Sequence, residues 1–121
     1  MRSEIEIIEA CLHTLRTGQP DRAPLTPDVT WTGPPVSRPL AGAEVTGLLV
    51  RFLPLVENLR AERHIVEGPY VASLLEIESA AGKIPAFVYF RLSNGLIKEI
   101  RTFYDPRLIF PEKFPGKEWT S

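Results

Sequence analysis

Residues 87–106, FVYFRLSNGLIKEIRTFYDP, hold two runs in which apolar and β-branched residues alternate with polar ones, joined by Asn94-Gly95 and ended by Asp105-Pro106. An Asn-Gly pair supplies the positive φ angles of a tight hairpin turn, so this stretch predicts two antiparallel strands. Working upstream, residues 61–67, 70–78 and 83–93 read as strands separated by Gly68-Pro69 and Ala81-Gly82, and 96–105 completes a set of four. Further back, Val45, Leu48, Leu49, Phe52, Val56 and Leu59 form an apolar stripe that predicts a helix over 42–59, kinked or broken at Pro54. A short strand is expected at 28–32, DVTWT, closed by Gly33-Pro34-Pro35, which cannot continue a ladder. Ile5, Ile8, Leu12 and Leu15 predict a first helix between an N-cap at Ser3 and Gly18, and the proline-rich GQPDRAPLTPD after it predicts a loop. Helix, strand, helix and then four strands is an α+β order, with the helices on one concave face of a curved, mostly antiparallel sheet.

A chain of 121 residues that is 44% hydrophobic is the size of one domain, with a core expected over about 3–106 and a tail at 107–121. The tail is proline-broken yet carries Leu108, Ile109, Phe110, Phe114 and Trp119, so it is expected to pack back, cross to a partner subunit or cover the mouth of the domain. A net charge of −1 gives nucleic acid or an anionic membrane no basic surface to bind. Cys11 is the only cysteine, which excludes an internal disulfide, and no Cys/His spacing suggests a metal site. The acidic N-terminus MRSEIEIIEA does not read as a signal peptide and no apolar run is long enough to span a bilayer, so a cytoplasmic protein is expected.

Four short motifs in order, Leu15-Arg16-Thr17-Gly18, Asp28-Val29-Thr30-Trp31, Pro39-Leu40-Ala41-Gly42 and Asn94-Gly95-Leu96-Ile97, give residues 5–106 a resemblance to the nuclear-transport-factor-2-like superfamily. That superfamily includes ketosteroid isomerases, limonene epoxide hydrolases and SnoaL-like polyketide cyclases. The resemblance implies a cone-shaped, cystatin-like α+β barrel with an apolar pocket for a small hydrophobic ligand, a homodimer through the outer sheet face, and no cofactor. Aligned position by position, the three isomerase residues fall at Cys11, Gly33 and Val88, none of which replaces a tyrosine or an aspartate. The epoxide hydrolase aspartate of the last strand falls at Thr102, and its Arg-x-Asp falls near Ala72 and Leu74.

If Val88 and Thr102 face inward, strand alternation also turns Ala86, Phe90, Ile100 and Tyr104 inward, and Trp31 with them. The expected pocket lining is therefore Cys11, Trp31, Val88, Phe90, Thr102 and Tyr104. His64 and Glu76 are the acid/base candidates, taken as inward residues of the earlier strands; the plainer alternatives are a water-bound strand histidine and a solvated acidic face. The plainer alternatives are a core thiol rather than a nucleophile at Cys11, and core packing rather than ligand contacts at Trp31 and Tyr104. Tyr89, Arg91, Arg101 and Phe103 fall on the outer face, where aromatic and arginine side chains suit an interface. Two functional classes stay open: a cofactor-free isomerase, cyclase or hydratase, and a non-catalytic binding or dimerisation module.

Overall fold

The computed structural model describes residues 3–105 and 107. The expectations for the apolar tail lie outside the described residues.

Helix α1, Glu4–Arg16, opens on a capping box: the Glu6 N–H donates to Ser3 Oγ at 3.2 Å and the Ser3 N–H donates to the Glu6 carboxylate at 2.8 Å. Its buried face is Ile7, Ile8, Cys11 and Leu12, whereas Ile5 is 42% exposed. The expected stripe is thus corrected at its first position, because Cys11 belongs to the buried face and draws its centre away from Ile5. The loop that follows contains one 3-10 turn, Pro20–Arg22. Strand β1, Leu25–Thr32, begins three residues earlier than the sequence suggested, and a two-residue β2, Leu40–Ala41, pairs with it.

Helix α2, Ala43–Phe52, buries Val45, Leu48, Leu49 and Phe52 as expected but ends at Phe52 and passes into a 3-10 turn, Leu53–Leu55. Pro54 has no N–H to give to the preceding turn and its ring crowds it, so the α-helix stops before it. Leu59, expected on this helix, instead points inward from strand β3, Asn58–Glu67. Its carbonyl accepts from Arg16 Nη1 at 2.8 Å, which ties the end of α1 to the start of β3.

Strands β4, Tyr70–Ser79, β5, Gly82–Ser93, and β6, Leu96–Phe103, complete a sheet of order β2-β1-β6-β5-β4-β3. All neighbours are antiparallel except β1 and β6. Asn94 and Gly95 both have positive φ, 52° and 79°, the pair of values a type I′ hairpin turn requires. The sheet curves around the helices but does not close: β2 and β3 are its free edges, so the fold is a barrel half rather than a barrel. One core fills the concave side, with Val71, Leu75 and Ile77 of β4, Ala86, Val88 and Phe90 of β5, and Ile97 and Ile100 of β6 facing α1 and α2. Among the described residues no helix is long and apolar enough to cross a membrane.

Candidate functional site

Alternation along β5 and β6, together with one face of α1, assembles a cavity of about 60 Å³ within this core. All six residues expected to line a pocket, Cys11, Trp31, Val88, Phe90, Thr102 and Tyr104, line it together. Its few polar atoms differ in what they have left to give. The Trp31 indole N–H donates to the carbonyls of Gly33 and Pro34, at 3.3 and 3.2 Å, and Thr102 Oγ1 donates to Pro34 O at 2.5 Å. Both donors are spent on the loop after β1. The Tyr104 hydroxyl, by contrast, is buried and has no hydrogen-bond partner among the described residues. Desolvation pushes the Tyr104 phenol well above its ordinary range and the Cys11 thiol up to about 12, so both stay protonated at neutral pH.

Gly33, the residue aligned with an isomerase acid, packs against Thr102 and is not among the residues that line the cavity. It has φ +101°, and a Cβ there would stand 2.3 Å from the Thr102 carbonyl oxygen. The backbone itself excludes a side chain at this position.

His64 lies on the concave face, opposite Ser73 in the β3–β4 ladder, but is not among the residues that line the cavity. Its ring is held at both nitrogens: Nε2 is 2.6 Å from Glu9 Oε2 on α1, and Nδ1 is 2.7 Å from Ser73 Oγ. A carboxylate only accepts, so Nε2 carries a hydrogen, and in the neutral ring the Ser73 hydroxyl donates to Nδ1. Serine, imidazole and carboxylate in a row resemble a nucleophile relay, yet Ser73 is fully buried beneath α1. The row acts as a clasp between the helix and the sheet. His64→Ala should cost about 1–3 kcal/mol in urea unfolding, because the Ser73 hydroxyl is then buried without a partner. Adding Ser73→Ala should return part of that loss; a His64→Ala chain as stable as the parent would contradict the clasp.

Glu76 does not share this face. The inward residues of β4 are Val71, Ser73, Leu75 and Ile77, so Glu76 points outward, where its carboxylate meets Arg60 at 3.1 Å and Lys83 at 4.0 Å. The expectation that Glu76 faces inward beside His64 is therefore corrected by strand parity. By the same parity Ala72 and Leu74 belong to the outer face. Sequence reasoning missed Glu9 and Ser73. Glu9 carries no signal beyond its place on α1, but Ser73 was recoverable, since it alternates with the two acids of LLEIES that mark the wet side of β4.

No family model matches the chain, and no curated protein matches it. Solved structures do. An NTF2-like protein from Cytophaga hutchinsonii is 19% identical, with a TM-score of 0.74 over 91% of this chain and 96% of that one. A protein from a Jannaschia species named for the SnoaL-like polyketide cyclases is 18% identical, with a TM-score of 0.70 over 87% and 90% of the two chains. A steroid delta-isomerase from Pseudomonas aeruginosa is 18% identical, with a TM-score of 0.72 over 89% and 83%. The fold is nuclear-transport-factor-2-like. Within that NTF2-like fold, the cavity of this chain carries no carboxylate and no imidazole among its described lining residues.

Proposed function

We propose that this NTF2-like domain is a small-molecule-binding module of SnoaL-like type, whose cavity takes a small hydrophobic molecule bearing one oxygen. The observation that carries the proposal is the unpartnered Tyr104 hydroxyl in an otherwise apolar chamber: a buried donor without an acceptor costs about 1–3 kcal/mol, and a ligand oxygen would recover it. Acid–base catalysis needs a group that takes a proton near neutral pH. Among the described lining residues the two ionisable ones, Cys11 and Tyr104, are a thiol and a phenol that are protonated at neutral pH even unperturbed, and burial raises both further, which favours binding over turnover.

Tyr104→Phe tests the proposal through two effects of opposite sign. In urea unfolding the ligand-free variant should be about 1 kcal/mol more stable, because an unsatisfied polar atom is gone. In calorimetric titration with 2-butanone it should bind about tenfold more weakly, the loss of one hydrogen bond. Equal affinity in the two proteins, or no binding by the parent, would contradict it.

The same proposal includes a homodimer through the outer sheet face. Phe103 and Ile65 are 61% and 56% exposed, Phe87 lies opposite Phe103 in the ladder, and Tyr70 stacks on Tyr89 with ring centroids 6.1 Å apart. Arg101 lies over the Tyr89 ring, and Glu99 accepts from Arg101 at 2.8 Å and from Arg91 at 3.0 Å, which holds its carboxyl below the usual range. An exposed aromatic patch with an ionic rim is the composition of an interface. Light scattering at micromolar concentration should give a dimer for the parent and a monomer for Phe103→Asp; a monomeric parent would contradict the assembly.

A further inference from the structure

The cavity does not stand alone. Leu15, near the end of α1, and Leu59, near the start of β3, line it on one side and line an open groove of about 620 Å³ on the other. At about 60 Å³ the inner chamber is far below the roughly 300–1,000 Å³ of ordinary ligand pockets. The groove alone falls within that range. The groove continues the apolar wall with Val50, Leu53, Pro54 and Val56, and its charged side chains, Arg16, Asp21 and Glu57, are of mixed sign. Leu15 and Leu59 are the two residues common to both linings, and Leu15 is only half-buried. Arg16 holds the Leu59 backbone through its carbonyl, so the side chains can turn aside while the strand stays in place.

We infer that groove and cavity are two chambers of one elongated binding site, entered from the groove past Leu15 and Leu59. Its ligand is an uncharged molecule with an oxygen at its leading end and a hydrocarbon body. The oxygen reaches Tyr104, the body passes between the two leucines, and the far end rests on Val50, Leu53 and Val56. A formally charged body has no counterpart in the inner chamber, whose described lining holds no ionised group, and mixed signs in the groove reward neither an anion nor a cation. This inference rests on the binding reading above and adds the length of the ligand and its route.

A series of 2-alkanones tests it, read by the emission of Trp31 in a chain carrying Trp119→Phe, since these are the two tryptophans. If the chambers join, affinity should rise about fourfold per methylene from 2-butanone to 2-nonanone, the usual gain for a buried methylene. Val50→Glu with Val56→Glu should then shrink the ratio of 2-nonanone to 2-butanone affinity at least tenfold. An affinity that stops rising at 2-pentanone would show a closed inner chamber and overturn the joined site while leaving the binding reading intact, as would a ratio unmoved by the two glutamates. Trp31 emission unchanged by every ketone, 2-butanone included, would overturn both.

Discussion

Gly33→Asp should destabilise the protein severely, lowering the unfolding free energy by more than about 3 kcal/mol, over a hundredfold in the folded-to-unfolded ratio. Two effects add. At φ +101° a side chain is strained whatever surrounds it, and its Cβ would sit 2.3 Å from the Thr102 backbone oxygen and 3.0 Å from Thr102 Oγ1. Thr102 cannot retreat, because β6 is paired on one side with β5 and on the other with β1. Gly18→Ala is the control: it has φ +73° but nothing within 4 Å of the added carbon, so it should lose only about 1 kcal/mol. Urea midpoints of the two variants measure the difference. Comparable midpoints would show that the backbone at Gly33 is free to move. A collapse of Gly33→Asp would show that the turn after β1 admits no carboxylate at this position without being rebuilt.

The second large effect is kinetic. Cys11 is the only cysteine, is 3% exposed, and burial raises its thiol from about 9 to about 12. At pH 8 that shift alone leaves about a thousandfold less thiolate than in the unfolded chain, so iodoacetamide should label the folded protein at least about 10³-fold more slowly than the urea-unfolded one. The same difference sets a pH dependence of stability. The unfolded thiol loses its proton near pH 9 and the folded thiol only near 12, so stability is complete below about pH 9 and falls as pH rises toward 12. Tyr104, raised from its ordinary value of 10.0 by the same desolvation, pulls in the same direction. Labelling of the folded protein at the rate of a free thiol would show a wet cavity with an ionisable cysteine.

Legibility in the sequence followed the strength of the local signal. Asn94-Gly95 announced the β5–β6 hairpin but not its register: a bulge between Arg91 and Leu92 sets Val88 opposite Thr102, where an unbroken ladder from the turn would set it opposite Arg101, so the joint inward parity of Val88, Phe90, Thr102 and Tyr104 came from the family resemblance rather than from the turn. Strand β4 was harder, because VASLLEIES places apolar residues on both parities: Val71, Leu75 and Ile77 on one, Ala72 and Leu74 on the other. Only Glu76 and Glu78 break the tie, and placing one of them inside required reading against it. On β3 a bulge between Ala61 and Arg63 shifts the pairing, so Leu59 and His64 both face inward although their numbers differ in parity. Nothing local announces such a bulge. The His64 clasp depends on Glu9, 55 residues away, a contact made by packing and invisible to periodicity. The edge of α2 was half legible: Pro54 marked the end of the helix, but the apolar Val56 and Leu59 continued its spacing by coincidence.

The most direct test of the binding site is a crystal of the protein soaked in 2-butanone. The ketone should lie among Trp31, Val88 and Phe90, with its oxygen about 2.5–3.0 Å from the Tyr104 hydroxyl. Ligand density confined to the outer sheet face, or a ketone in the cavity with its oxygen turned away from Tyr104, would contradict it.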